Sequence, residues 1–224
     1  MIIDNTYFTG EIYIPHAKPG ITDSVVGIDN EVISFINEYA KECLFKSLGA
    51  QLYADLELNL DSGDATWVDP LSDAKWDELV NGKDYTDPIS ELDVKWKGIR
   101  YINELGGSTY DRSFLAYYTY FFYEKKSHIT RSEIGHEQEK AHNARLVMPT
   151  DKVVNAWNKF VTLVQGEGNI KKYLASPFGL GVDYYSGNSD VSLYKFINDS
   201  NTISEGTYAN FKPKLWNRIN QLGL

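Results

Sequence analysis

The histidine and glutamate residues that could act as acids, bases or metal ligands are concentrated between residues 128 and 142. HEQEK, at residues 136–140, matches the first two positions of the zinc-protease helix motif H-E-x-x-H. That motif needs a second histidine four residues after the first, so that both lie on one helix face, and Lys140 stands at this position. The sequence therefore does not predict a zinc-protease site here.

The same stretch carries two copies of the spacing E-x-x-H, in which Glu133 precedes His136 and Glu139 precedes His142. Carboxylate-bridged di-iron bundles use this spacing on two different helices, with two further glutamates facing them. Two copies this close together on one helix would spread over about half of its circumference and could not converge on one metal ion. We therefore expect residues 131–148 to form a loop, a frayed helix or an extended arm, without a metal or another cofactor.

Other catalytic signatures are missing from the sequence, which contains no G-x-S-x-G, no phosphate-binding G-x-x-x-x-G-K-[ST] and no Rossmann glycine pattern. Cys43 is the only cysteine, which excludes an intramolecular disulfide and a multi-cysteine metal site. It lies in a helical run, NEYAKECLFKSLG, where we expect a small buried side chain. Asp and Glu are plentiful, so a carboxylate-based hydrolase stays open as an alternative, since the sequence does not reveal the separation of two carboxylates.

Composition restricts the classes of function further. The formal net charge of −9 argues against binding to nucleic-acid phosphates as the main task, although an acidic surface would keep passing DNA from sticking. The aromatic content of 14%, with 16 Tyr, is typical of chains that bury partly wet surfaces such as interfaces. The N-terminus does not resemble a signal peptide, and the longest apolar run is too short to cross a bilayer. We expect a soluble protein that acts where it is made.

The stretch around which the chain is organised is STYDRSFLAYYTYFFYEKKSHITRSEIG, residues 108–135. At 100° per residue, its central aromatic side chains form one broad helix face, while Tyr120 and Tyr123 lie on other sides. Thr109 or Asp111 could cap the start of this helix. A helix that is apolar most of the way round is buried on several sides, and its tyrosines need hydrogen-bond partners. This pattern suits the centre of a helical bundle or a subunit interface.

Helical spacing of apolar residues predicts further helices. One follows a cap at Asp29 or Asn30 and breaks at Leu48-Gly49, and a second runs over about residues 50–60. Residues 74–80 could form one or two turns, and residues 152–165 form an amphipathic helix. For β-structure, Asn81-Gly82 predicts the turn of a β-hairpin, and the alternation of apolar and polar residues at 92–96 predicts a strand. Together these two signals predict a hairpin near residues 81–97. Residues 99–105 read as a short helix ended by two glycines.

These patterns predict a mainly α protein: a helical bundle around a central aromatic helix, with a small β-hairpin and extended arms at both ends. The predicted organisation is an N-terminal arm at residues 1–27, a helical core at 28–165, and a C-terminal extension at 166–224 for contacts with other subunits or partners. The extension is rich in Gly, Ser and aromatic residues and lacks a clean period, so the sequence predicts that a chain ending at Gln165 folds alone and loses assembly. The candidate interface residues in the extension are Tyr173, Phe178, Tyr184, Tyr185, Tyr194 and Phe196.

The order of these segments resembles the head–tail connector (adaptor) proteins of tailed phages, most closely those of phages that infect Bacteroidetes, including crAss-like phages. The resemblance covers roughly residues 28–200. It is carried by IDNEVISFINEYAKECLFKSLGAQLYADL, the hairpin and strand leading to KWKGIRYINEL, FLAYYTYFFYEKKSHITRSEIG, VVNAWNKFVTLVQ and SLYKFIND.

The resemblance implies a homo-oligomeric ring, expected to be a dodecamer, that docks on the portal protein and contacts further tail or ring proteins. Genomic DNA would pass through the lumen without sequence-specific binding, and the ring would lie at the head–tail junction of a virion made in the host cytoplasm, with no membrane involved. The family has no catalytic residues to carry over, so no enzyme activity is expected. The alternatives are another scaffold or binding protein and the carboxylate-based hydrolase.

Overall fold

A computed structural model describes residues 2–14, 26–60, 73–105, 108–111, 113–127, 130–132, 135–137, 150–166 and 190–219. Helices make up most of this described part, and its strands pair as short antiparallel hairpins. The expectation of a mainly helical protein with a two-stranded hairpin is therefore confirmed. Among the described helices, none is long and apolar enough to cross a membrane.

The helices of the described part follow one another in the order α1 Val26–Phe35, a π-helical segment Ile36–Ala40, α2 Lys41–Leu48, α3 Ala50–Leu58, α4 Ala74–Asn81, α5 Phe114–Ser127, α6 Thr150–Gln165 and α7 Leu193–Ile203. The strands are β1 Lys83–Thr86, β2 Asp93–Trp96, β3 Ile102–Leu105, β4 Ser108–Asp111, β5 Thr130–Ser132 and β6 Gly135–Glu137. Each strand pairs with its sequence neighbour, β1 with β2, β3 with β4 and β5 with β6.

The first helix begins earlier than its capping signal predicts. Asp29 and Asn30 lie inside α1, so neither is the cap. The apolar residues Val26 and Ile28 continue the helical pattern toward the N-terminus, so the helix begins before Asp29 and Asn30. The predicted break at Leu48-Gly49 is confirmed, because Gly49 has φ +87° and separates α2 from α3.

Asn81-Gly82 ends a helix instead of forming the predicted hairpin turn. Gly82 follows α4 with φ +103°, and its N–H donates to the carbonyl of Glu78 at 3.1 Å. The hairpin of β1 and β2 is present, but residues 87–92 connect its strands. A glycine that adopts positive φ serves a helix end as well as a hairpin turn, and only the surrounding contacts distinguish the two roles.

Residues 102–105 are a strand, so the predicted short helix over residues 99–105 is wrong. β3 pairs with β4, which contains both Thr109 and Asp111, and neither can cap the aromatic helix. The cap is Ser113, whose Oγ accepts from the N–H of Leu115 at 3.2 Å and donates to the carbonyl of Ile99 at 2.6 Å. Here the pairing between strands outweighs the local helix propensity. A sequence pattern of so few residues does not reveal such pairing.

Helix α5 is buried at every position from 114 to 120 and packs mainly on α6 and on the π-helical segment. Three of its tyrosines have hydrogen-bond partners, as expected for buried phenols: Tyr117 donates to Glu11, Tyr118 to Glu42 and Tyr120 to Glu124. Beyond α5, the strands β5 and β6 form a hairpin where we predicted a loop, frayed helix or arm over residues 131–148. Residues 138–149 lie outside the described part of the chain.

Both ends of the described chain belong to the core. The first residues, 2–14, bury a set of aliphatic and aromatic side chains against it, so the described part of the predicted N-terminal arm packs along its own chain. Residues after 190 contribute Tyr194, Phe196, Tyr208 and Trp216 to the same cluster. The boundary predicted after Gln165 is therefore not a boundary of the core, because these aromatic rings are buried by the helices that precede them.

Candidate functional site

The polar stretch that first suggested chemistry does not assemble a described site. His136 lies in β6, while Glu133, Glu139 and His142 fall outside the described residues. Within the described ranges, no three His, Cys, Asp or Glu side chains are grouped so that they could hold a metal ion. Cys43 is fully buried, as predicted, and burial raises the pKa of its thiol.

The structure corrects two of the six candidate interface residues. Tyr194 and Phe196 are each 1% exposed and belong to the core of their own chain. Phe196 stacks on Trp96 with ring centroids 5.5 Å apart, and the Tyr194 hydroxyl donates to the carbonyl of Lys214 at 2.6 Å. Both side chains are packed inside their own chain, so they are not available on its surface for an interface. The other candidates, Tyr173, Phe178, Tyr184 and Tyr185, lie outside the described residues.

A buried ionic cluster lies between α7 and the β1–β2 hairpin. Lys195 is 1% exposed, and its Nζ lies 2.5 Å from Asp87 Oδ2 and 2.7 Å from Asp199 Oδ2. Asp199 also accepts from the hydroxyl of Tyr85 at 2.7 Å. We call Lys195, Asp87, Asp199 and Tyr85 the Lys195 cluster. Helical spacing places Lys195 and Asp199 on one face of α7, while Tyr85 lies in β1 and Asp87 directly follows it.

The two carboxyl groups of the Lys195 cluster differ in electrostatics. Burial raises the pKa of Asp87, but hydrogen bonds from Lys195 and from the backbone N–H groups of Ile89 and Ser90 outweigh it and leave the pKa below its ordinary value. Burial also raises the pKa of Asp199, and there the hydrogen bonds from Lys195 and Tyr85 do not compensate. Asp199 therefore binds a proton more readily than Asp87 does.

The surroundings of the Lys195 cluster exclude substrate. Asp87 is 2% and Asp199 4% exposed, and the ring of Phe196, next to Lys195 in the chain, contacts Tyr85 as well as Trp96. A hydrolase pair must admit a substrate between its carboxyl groups, whereas these two are bridged by an ammonium group. Sequence reasoning missed the cluster because Asp87 and Lys195 are far apart in the chain and carry no motif.

A second arrangement concerns the C-terminal residues 212–219, which we call the tail segment. Its backbone is bound by side-chain amides of α6, each of which both donates and accepts. Gln165 Nε2 donates to the carbonyl of Trp216 at 2.6 Å, and Gln165 Oε1 accepts from the Trp216 N–H at 3.1 Å. Asn158 makes the same pair of bonds with Ile219, at 2.9 and 3.0 Å. We call these two amides the α6 clamp.

The spacing of the α6 clamp explains why it fits extended chain. Asn158 and Gln165 are seven positions apart, so they lie about 10.5 Å apart along the helix at 1.5 Å per residue. Trp216 and Ile219 are three positions apart, which in extended chain is about 10 Å. The two lengths are similar, so each amide can meet the backbone of one tail residue. The clamp recognises backbone and is therefore tolerant of the side chains that it binds.

The tail segment is also held at the end of α2 and by one aromatic anchor. The N–H groups of Lys212 and Lys214 donate to the carbonyls of Leu48 and Lys46, at 3.2 and 2.8 Å, which satisfies carbonyl groups at a helix end. A Cβ at Gly49 would lie 2.7 Å from the carbonyl oxygen of Lys212, so this approach requires glycine. Trp216 is buried against Phe160, with ring centroids 5.0 Å apart.

We expect Gln165→Ala to expose the Trp216 amide to solvent exchange. Losing a typical hydrogen bond costs about 1 kcal/mol, which corresponds to roughly a fivefold loss of protection at that N–H. The measurement is amide hydrogen exchange resolved to single residues. Gln165→Glu is the matched control, because its carboxylate still accepts from the Trp216 N–H but cannot donate to the carbonyl. Equal protection of Trp216 in wild type and Gln165→Ala would show that the clamp does not hold the tail.

No family model, curated protein sequence or solved structure matches the chain.

Proposed function

We propose that this protein is a structural subunit of a homo-oligomeric ring, the head–tail connector that joins capsid to tail in a tailed phage. The sequence segments that resemble this family follow one another as α1 to α3, the β1–β2 hairpin, α5, α6 and α7. We further propose that α5 is the centre of a helical bundle, which is consistent with its burial between α6 and the π-helical segment. The proposed connector function needs no catalytic residue.

The observation that carries the proposal is the backbone-directed binding of the tail segment by the α6 clamp. Because these hydrogen bonds go to the backbone, the α6 clamp can make the same contacts with the tail segment of a neighbouring copy. Exchange of such a segment around a ring would join each subunit to the next without a new binding surface. The Trp216 anchor would provide most of the apolar contact area at each joint, as large aromatic residues do in interfaces.

The overall charge is consistent with a ring through which DNA passes. With a formal net charge of −9, the subunit repels the phosphate backbone at long range, and repulsion keeps a translocating duplex from binding to the wall. The proposed partners are the portal protein on one side and tail or further ring proteins on the other, and the proposed location is the head–tail junction of the virion.

Mass photometry of the purified protein, alone and mixed with the portal protein of the same phage, tests this function. We expect closed rings of uniform copy number, near a dodecamer, either alone or on the portal. Electron micrographs of the same samples would show a central channel. A protein that stays monomeric at micromolar concentration and does not join the portal would contradict the connector proposal and favour another scaffold or binding protein.

A disulfide between the α6 clamp and the tail tests segment exchange within such rings. Asn158→Cys combined with Ile219→Cys places two thiols at an existing contact, while Gln165 keeps the second half of the clamp. Cys43 can stay, because burial makes its thiol unreactive. Oxidised rings should give a covalent ladder on a denaturing gel, and each single-cysteine variant should not. Oxidised monomers alone would show that each tail stays in its own groove, and exchange would then be wrong.

A further inference from the structure

The Lys195 cluster brings an amine against a carboxyl group in a site closed to water. Lys195 Nζ touches Asp87 Oδ2 at 2.5 Å, and a second carboxyl group, that of Asp199, touches the same Nζ at 2.7 Å. All three residues are at most 4% exposed. A simple ion pair needs one carboxylate, so the second one adjacent to the same nitrogen calls for an explanation beyond charge neutralisation.

We propose that Lys195 and Asp87 become joined by an isopeptide bond in the folded protein, with Asp199 as the catalytic proton carrier. The new bond links Lys195 Nζ to Asp87 Cγ, and Asp87 Oδ2 leaves as water. The product is an amide that connects α7 to the residue directly after β1. This inference is independent of the connector proposal, since it concerns chemistry inside one chain.

The step balances without any oxidant or co-reactant. The starting pair is an ammonium and a carboxylate, and the products are one amide and one water molecule. Lys195 Nζ passes one proton to Asp87 Oδ2, with which it is in contact, so that a neutral amine attacks Cγ of a neutral carboxyl group. After the attack, Asp199 takes a second proton from the nitrogen and delivers it to Asp87 Oδ2, which leaves as water. Asp199 ends in the protonation state in which it began, as a catalyst must.

Two backbone N–H groups hold the oxygen of Asp87 that does not contact Lys195. Asp87 Oδ1 accepts from the backbone N–H groups of Ile89 at 2.8 Å and Ser90 at 3.1 Å. When nitrogen adds to Cγ, negative charge develops on this oxygen, and two fixed N–H donors stabilise it as in an oxyanion hole. The leaving oxygen, Oδ2, is the one on the side of Lys195, so the donors and the leaving group occupy separate positions.

The contacts around Asp199 fit its part in the reaction. Burial raises its pKa, which suits a group that must accept a proton and release it again. The Tyr85 hydroxyl donates to Asp199 Oδ2 and orients the carboxyl group toward Lys195. Because the surrounding aromatic rings exclude water, hydrolysis of the amide is disfavoured.

The intact mass of the purified full-length protein tests the proposal directly. After incubation at neutral pH and full denaturation, we expect a mass lower than the sequence mass by one water molecule. A protease digest should then contain a branched peptide that joins Asp87 to Lys195. The exposed pair Lys83 and Glu78, whose charged atoms are 2.8 Å apart, is the internal control and should stay unlinked, since proximity alone does not suffice.

Asp199→Asn separates the chemistry from the fold. This variant keeps a balanced Lys195–Asp87 ion pair and an oxygen for the Tyr85 hydroxyl, but its amide cannot carry the proton. We expect a folded protein with its full sequence mass. A wild-type protein that also keeps its full mass would overturn the proposal and leave the cluster as an ionic contact. A bond from Lys195 to Asp199, or a linked Asp199→Asn variant, would overturn the roles given to the two carboxyl groups.

Discussion

A chain that ends at Gln165 is expected not to fold. It lacks four buried aromatic residues of the common core, Tyr194, Phe196, Tyr208 and Trp216. Removing one large buried aromatic side chain costs about 3–5 kcal/mol, and a whole domain is stable by only about 5–15 kcal/mol. The loss of four exceeds what the remaining core can supply. The prediction drawn from sequence, that this shorter chain folds and only fails to assemble, is therefore reversed.

The truncated chain should show weak near-ultraviolet circular dichroism and no cooperative urea transition. Two point variants of the full chain make a matched pair, because they change adjacent tail residues of opposite burial. Trp216→Ala removes the buried anchor and should lower the free energy of unfolding by about 3–5 kcal/mol. Leu215→Ala removes a side chain that is 53% exposed and should stay within about 0.5 kcal/mol of wild type. A cooperative melt of the chain ending at Gln165 would contradict this expectation and support a core that folds without residues 166–224.

Lys195→Met should be the most destabilising single change among the charged residues of the described core. It keeps most of the side-chain volume but leaves Asp87 and Asp199 buried without their shared cation. Breaking a buried ion pair on one side costs about 3–5 kcal/mol, because an uncompensated charge stays in the interior. The control is Lys83→Met, which removes one partner of a pair that is partly open to solvent and should cost at most about 1 kcal/mol.

The pH dependence of Lys195→Met distinguishes lost charge from lost packing or a lost covalent bond. Burial already raises the pKa of Asp199, and removal of Lys195 takes away the cation that opposes this rise. The folded variant then binds more protons than the unfolded chain. The contribution of Asp199 to stability should be fully present below the unfolded carboxyl pKa of about 4 and should be lost as pH rises through the raised pKa. Urea unfolding of both variants, each referred to wild type, at pH values from about 5 to 7 measures this.

In that comparison, the loss of unfolding free energy caused by Lys195→Met, relative to wild type, should become smaller as the pH falls. The loss caused by Lys83→Met should change little with pH. A deficit that stays constant with pH would show that the carboxyl groups of Asp87 and Asp199 remain solvated in the variant. Adding Asp87→Asn and Asp199→Asn to Lys195→Met should recover part of the stability at neutral pH, because neutral amides cost less to bury than unpaired carboxylates.

Sequence patterns alone predicted two kinds of feature: elements with a long periodic pattern, and helix ends set by a single residue. The apolar face predicted α6 almost to its last residue, and the aromatic run predicted α5 and its burial. Gly49 marked the end of α2, because positive φ at a helix end is a property of one residue. The strand at residues 93–96 followed from strict alternation. In each case the information lies within one or two turns of chain, which is the range over which periodicity operates.

Tertiary contacts decided the rest. Gly82 ends α4 because the chain continues directly into β1, which pairs with β2. Residues 102–105 are a strand because β4 pairs with them. The tail segment belongs to the core because the α6 clamp, on a distant helix, matches its backbone spacing. The Lys195 cluster joins residues from the β1–β2 hairpin and from α7, and neither sequence neighbourhood carries a motif. Hydrogen bonds and charge pairs act over a few ångströms of space, whatever the separation in sequence, so these features exist only once the chain has folded.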